Sequence, residues 1–260
     1  MIYVEWIVII ALSCYLFATS FKRKDHNKST ISEHQLMAQK YVDNGKFEEA
    51  EKEIFNDLKR NNPDDLVLDY YALGVIYYRQ KKIKKALSFL KQAWAADRDN
   101  YDATFCISRI YYELYEKFSI PADLEKAVEF IEKTLEIKPN HKNSLLRMGS
   151  IYFNKGNIEK AMKYYQRIID ANPQNANAYY NLGSCNLEQG NYEKAIGFYK
   201  QAIESSCDKP QYCQYWIGYC HEHLKDLNEA ESWYRKSLKS GYGNAQEKLN
   251  EIKARKTAGY

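Results

Sequence analysis

Through most of residues 31–256, large apolar and aromatic side chains recur at separations of three, four and seven, with charged residues between them. That spacing puts the apolar set on one stripe of a helix, so the chain is predicted to be a succession of amphipathic α-helices. A longer period lies on top of it. Five times a small residue is followed twelve positions later by alanine: Ala38/Ala50, Gly74/Ala86, Gly149/Ala161, Gly183/Ala195 and Gly218/Ala230. A sixth pair, Ser108/Ala127, is stretched by seven residues, and successive alanines stand 36, 41, 34, 34 and 35 apart. Self-similarity at such a period predicts stacked helical hairpins, in which each unit touches only its neighbours. Small residues at the eighth and twentieth positions of a unit let its two helices approach closely. Large residues at the fourth, seventh, eleventh and twenty-fourth positions supply the facing stripes.

The turns are legible too. Gly156-Asn157 and Gly190-Asn191 place glycine where a left-handed helix end is needed and asparagine where the next helix needs a cap. Pro63, Pro139 and Pro173 each stop a second helix, because proline lacks the N–H that a helix interior requires. The seven extra residues near Leu114 to Pro121 amount to about two helical turns. They predict a first helix running on to about Phe118, with Pro121 opening the second, so that Tyr115 and Phe118 project. Residues 245–256, with Ala245, Leu249 and Ile252 on one side and charges on the other, read as a closing helix.

The motif Tyr179-Tyr180-Asn181-Leu182-Gly183, followed by Gly190-Asn191-Tyr192-Glu193-Lys194-Ala195, Tyr199 and Ala202, resembles a tetratricopeptide repeat. So does Leu145 to Pro173, with Met148, Gly149, Tyr152, Gly156, Ala161 and Tyr165. Val67 to Asn100 keeps Tyr70, Leu73, Gly74, Tyr77 and Ala86, while Ile31 to Asp64 is degenerate, with His34, Met37 and Ala38 at signature positions. The last unit, through Ala230, Trp233, Tyr234, Gly241 and Ala245, also resembles a SEL-one-like repeat. The resemblance implies an all-α fold: a right-handed superhelix of about six helix-turn-helix units, at residues 31–64, 67–100, 101–141, 142–175, 176–210 and 211–244. Residues 245–260 form the capping helix and tail.

Ile2 to Phe21 contains a single charge, Glu5, and is long enough as a helix to span the ~30 Å hydrocarbon layer. Lys22, Arg23, Lys24 and Lys28 follow at once in the linker 22–30, so the positive-inside rule predicts one transmembrane helix (1–21) with the repeats facing the cytoplasm. Two processing alternatives exist: cleavage after Ala18-Thr19-Ser20, or a lipoprotein-like Ala11-Leu12-Ser13-Cys14. The first lacks a basic leading region, and the second lacks a polar tether after the cysteine.

The net charge of +4 resides mostly in that juxtamembrane cluster, which leaves the repeats near neutral and gives no reason to expect nucleic acid as a partner. Of six cysteines, Cys207, Cys213 and Cys220 lie close to His221 and His223, but the Cys-x-x-Cys spacing of a metal module is absent. Cys213 and Cys220 are seven apart, and Cys185 holds the same position in its unit as Cys220 in the last, a pattern of packing. No metal or cofactor is expected. Phosphate-loop, zinc-protease and nucleophile-elbow motifs are absent, and the expectation is that the chain is not an enzyme.

By the resemblance, the first helices line a concave face, reached from the second, fifth, ninth, twelfth and thirteenth positions of each unit. The residues proposed there for peptide binding are Tyr71, Tyr78, Arg79, Phe105, Arg109, Tyr112, Leu146, Phe153, Tyr180, Tyr215 and Tyr219. Tyrosine supplies contact area and a hydroxyl at low entropic cost. The lysine and asparagine of the family's chaperone-tail clamp are replaced by Gln35/Gln39, Tyr71/Val75 and Phe105/Arg109, which disfavours that ligand. In arrangement, with repeats behind one N-terminal anchor, the chain resembles the lipopolysaccharide assembly protein B family without its cysteine-pair metal module. The expected function is a membrane-anchored adaptor that binds a protein or peptide segment and supports assembly at the bilayer. The alternatives are an exported envelope repeat protein and a regulatory subunit of a membrane enzyme.

Overall fold

A computed structural model describes residues 32–60 and 66–257. The predicted membrane anchor at 1–21 and the linker at 22–30 lie outside them; among the described residues no helix is long and apolar enough to cross a membrane. Thirteen α-helices account for all the regular structure among the described residues. They fall into two units, divided between Pro139 and Asn140, each taken by itself below.

The first unit contains three hairpins. These are α1 (Glu33–Asp43) with α2 (Phe47–Leu58), α3 (Leu66–Arg79) with α4 (Ile83–Ala96), and α5 (Tyr101–Phe118) with α6 (Pro121–Ile137). The second contains α7 (Lys142–Asn154) with α8 (Ile158–Ala171), α9 (Ala176–Glu188) with α10 (Tyr192–Glu204), α11 (Pro210–His223) with α12 (Leu227–Lys239), and the single helix α13 (Ala245–Thr257).

One turn recurs within the hairpins. The Gly156 N–H donates to the Phe153 carbonyl and the Asn157 N–H to the Tyr152 carbonyl, both at 2.9 Å, with Gly156 at φ 74°. This double closure satisfies two carbonyls that the helix end leaves orphaned. Gly190 repeats it at φ 73°, but Lys81 and Lys225 hold the same left-handed backbone at φ 62° and 63° with a Cβ present. The asparagine caps are only partly as predicted. Asn157 accepts from the Lys160 N–H at 3.2 Å, whereas Asn191 makes no side-chain cap bond. The best asparagine caps are at junctions between hairpins: Asn100 accepts from Ala103 N–H at 2.9 Å and Asn175 from Ala178 N–H at 3.0 Å.

Packing follows the small-residue rule. A Cβ added at Gly183 would stand 2.7 Å from the Tyr199 ring, one at Gly218 2.9 Å from Tyr234, and one at Gly74 2.6 Å from the Leu90 side chain. Tyr165, Tyr199 and Tyr234 are fully buried for this reason: a ring fills the space that the missing side chain leaves. The hydroxyls need partners. Those of Tyr165 and Tyr199 meet Ser150 Oγ at 3.3 Å and Ser184 Oγ at 3.2 Å, and Tyr234 donates to Glu222 at 2.9 Å.

The lengthened hairpin ends as its sequence predicts, with α5 closing at Phe118 and Pro121 in the first turn of α6. Phe118 and Ile120 are exposed at its tip, while Tyr115 is half-buried with its ring 6.3 Å from Tyr112. At the other end of the chain, α13 buries Ala245, Leu249 and Ile252. Its Arg255 and Lys248 reach Glu222 at 2.9 and 3.8 Å.

Candidate functional site

The candidate residues fall into two environments. In the first unit, every residue from Tyr71 to Tyr78 in α3 and from Ala103 to Tyr112 in α5 is buried, so both sides of these helices are covered. Tyr71, Tyr78, Phe105, Arg109 and Tyr112 are therefore packed residues, and Arg79 is half-buried. Their polar groups are organised around Arg109. Its guanidinium lies 4.7 Å from the Tyr78 ring centre, and its Nε is 3.9 Å from Glu113 Oε1. The Tyr78 hydroxyl donates to the Glu113 carboxylate, and the Tyr71 hydroxyl lies 3.6 Å from Cys106 Sγ. Burial pushes the Tyr78 phenol well above its usual range; Arg109 pulls it down and Glu113 raises it further, so it remains a neutral donor at neutral pH. Gln35, at a clamp position, is also buried, donating to Asp69 at 2.8 Å.

In the second unit the candidates are half-buried: Leu146, Phe153, Tyr180, Tyr215 and Tyr219 each present part of their surface. Helix α11 organises most of them. Its apolar stripe, Cys213, Ile217 and Cys220, is buried against α10, which leaves Tyr212, Tyr215, Trp216 and Tyr219 on the remaining surface. Trp216 meets Tyr215 and Tyr219 edge-on, with centroids 5.3 and 5.5 Å apart, and donates its indole N–H to the Tyr180 hydroxyl at 3.2 Å. Tyr219 continues to the His223 ring at 4.4 Å, which stacks on Tyr192 at 4.9 Å. In the other direction Tyr212 and Tyr215 each meet Tyr242 edge-on at 5.0 Å.

The result is a contiguous, partly exposed aromatic surface spanning α9, α11, the first residue of α10 and the turn that follows α12. Edge-on contacts lock the rings in place, so they lose little freedom when another surface covers them. Leu146 and Phe153 belong to α7 and are not among these ring contacts. Sequence reasoning missed Trp216, Tyr192 and Tyr242, because they occupy the sixth, seventeenth and thirty-second positions of their units. The available signal was density: four aromatic residues within Tyr212 to Tyr219 exceed what one core stripe uses.

Three segments match models described as tetratricopeptide repeat: residues 146–210, 70–100 and 212–240. The match over the last segment is to a tetratricopeptide model and lends the SEL-one-like resemblance no support. No curated protein matches the chain. Among solved structures, MamA from Desulfovibrio magneticus RS-1 is 20% identical, with a TM-score of 0.58 over 68% of this chain and 95% of its own. YrrB, described as a tetratricopeptide protein with an unusual peptide-binding site, is 17% identical, with a TM-score of 0.58 over 72% and 92%. A tetratricopeptide repeat protein from Parabacteroides merdae is 18% identical, with a TM-score of 0.57 over 85% and 97%. These likenesses are of fold. Together with the hairpins, their glycine contacts and their turns, the family matches show tetratricopeptide repeats at residues 70–100, 146–210 and 212–240 within an all-α helical-repeat fold.

Proposed function

We propose that this protein is a non-catalytic adaptor, held at a membrane by Ile2 to Phe21 with its repeats on the cytoplasmic side, that captures an extended protein segment on the aromatic surface of its second unit. The tetratricopeptide fold supports protein interaction as the general role. The partly exposed row Tyr180, Trp216, Tyr215 and Tyr219 carries the specific reading. Exposed contiguous apolar surface of this kind marks a partner site, and tryptophan and tyrosine dominate the energetics of such sites. Apolar or proline-rich side chains fit the ring faces, while the tyrosine hydroxyls are positioned to bond a peptide backbone.

Peptides selected from a random displayed library on the purified protein test this reading. Replacing Tyr219 or Trp216 by alanine is expected to weaken the selected peptides roughly tenfold or more, about 1.4 kcal/mol. Lys163→Ala, far from the rings in sequence and on a second helix, is expected to leave affinity unchanged. Selected peptides that ignore both aromatic substitutions would overturn the assignment.

A further inference from the structure

We propose that Cys207 and Cys213 form a reversible redox pair, a modification site in the same unit as the aromatic surface. Their Sγ atoms are 3.8 Å apart, in van der Waals contact, and both are free thiols. A disulfide bond of about 2.05 Å requires the sulfurs to close by less than about 2 Å. The two thiols differ in a way that suits sequential chemistry. Cys213 is 1% exposed within the α10/α11 core, and burial pushes its thiol well above the usual range. Cys207 is half-buried in the turn between those helices, so it is the thiol within reach of a dissolved oxidant.

The short turn holds Cys207 next to α11. Ser206 takes a left-handed conformation, φ 60°, and the Cys207 N–H closes the α10 end on the Ala202 carbonyl at 3.2 Å. Only Asp208 and Lys209 separate Cys207 from α11, which opens at Pro210. Cys106, Cys185 and Cys220, by contrast, are free thiols buried within helices.

The oxidant is a hydroperoxide. The Cys207 thiolate attacks the outer oxygen of hydrogen peroxide, the O–O bond breaks, and a sulfenic acid and hydroxide form; the hydroxide takes the proton that Cys207 had released to solvent. The Cys213 sulfur then attacks the sulfenic sulfur, the S–O bond breaks, and the thiol proton leaves with the departing hydroxide as a second water. Two thiols are thereby oxidised by two electrons and one peroxide is reduced to two waters. A small thiol reductant restores the pair by exchange. In a reducing compartment such a bond is transient, as redox-sensing bonds are. It pins the turn to α11 beside Tyr212 and Tyr215, which coupled peptide binding would register.

The full-length protein, reduced and then titrated with hydrogen peroxide, is alkylated under denaturing conditions and mapped by mass spectrometry. The expected result is a Cys207–Cys213 cross-link that forms roughly tenfold faster than any change at Cys106 or Cys185, and that dithiothreitol reverses. Cys207→Ser is expected to abolish it and leave Cys213 alkylatable, while Cys185→Ser leaves it intact. Cys207 trapped as sulfinic or sulfonic acid beside a free Cys213, cross-links to other cysteines, or no reaction at either thiol would each refute the pair.

Discussion

Tyr199 lies against Gly183 so closely that a Cβ at the glycine would stand 2.7 Å from the ring. The two residues are sixteen apart, the same offset as Gly149/Tyr165, Gly218/Tyr234 and Gly74/Leu90. The hairpin is thus keyed by one absent side chain on its first helix and one large side chain on its second. Gly183→Ala is expected to destabilise the protein by about 1–3 kcal/mol, because neither the ring nor the helix backbone has room to retreat. Gly197 sits exposed in α10 with nothing within 4 Å of its would-be Cβ. Gly197→Ala is expected to be neutral or to stabilise by up to ~1 kcal/mol through helix propensity. Chemical denaturation of the two variants measures the contrast.

The left-handed turns lead to an opposite expectation. Lys81 and Lys225 hold backbone that costs a residue with a Cβ about 1–2 kcal/mol, so Lys81→Gly and Lys225→Gly are each expected to raise the denaturation midpoint, by ~1 kcal/mol or less after glycine's entropic cost. Gly156→Ala, at φ 74°, is expected to lower it by a similar amount.

Glu222 ties α13 to the hairpin before it. Its carboxylate accepts from Tyr234 and pairs with Arg255 at 2.9 Å while its side chain is only 8% exposed. Glu222→Gln is expected to cost about 1–3 kcal/mol and to speed amide exchange selectively in residues 245–257.

On the outer side of the same junction, hydrogen bonds from Lys256 and then Arg235 hold the Glu231 carboxyl below its usual range. A depressed folded pKa contributes stability that is present above the ordinary value of 4.5 and is lost as pH falls through the folded value. Acidification below pH 4.5 is therefore expected to loosen α13, and Glu231→Gln to remove that part of the pH dependence; because the ion pairs lie at the surface with Glu231 half-buried and Arg235 exposed, the effect is small and salt-sensitive. Exchange rates measured across this pH range, at low and high salt, decide it.

Arg109→Glu tests the packed network of the first unit. It replaces a cation that is 9% exposed, over the Tyr78 ring, with a second carboxylate beside Glu113. A loss of about 3 kcal/mol or more is expected, visible in thermal unfolding, with peptide capture by the second unit unchanged where the protein remains folded.

Membrane attachment is tested on the whole chain. If Ile2 to Phe21 is retained as an anchor, the protein stays with membranes through carbonate washing and keeps its own N-terminal residues. A mature terminus at Phe21 or a lipid on Cys14 would favour the exported alternative.

Helix positions, hairpin pairing and the repeat type were legible in the sequence because they rest on contacts at fixed offsets within one unit. Gly183 and Tyr199, or Gly156 and its neighbours, meet wherever a 34-residue hairpin forms. Even the lengthened α5, ending at Phe118 before Pro121, follows from helical periodicity and proline's missing N–H. Which of the candidate aromatic residues reach solvent was not legible, since that depends on what covers a helix from outside its own hairpin. Tyr78 and Tyr215 have the same tyrosine chemistry and both lie on first helices. Yet Tyr78 is enclosed with Arg109 and Glu113, and Tyr215 stands half-open between Trp216 and Tyr242. Periodicity assigns a side chain to a face of its helix; only the tertiary packing decides whether that face is covered.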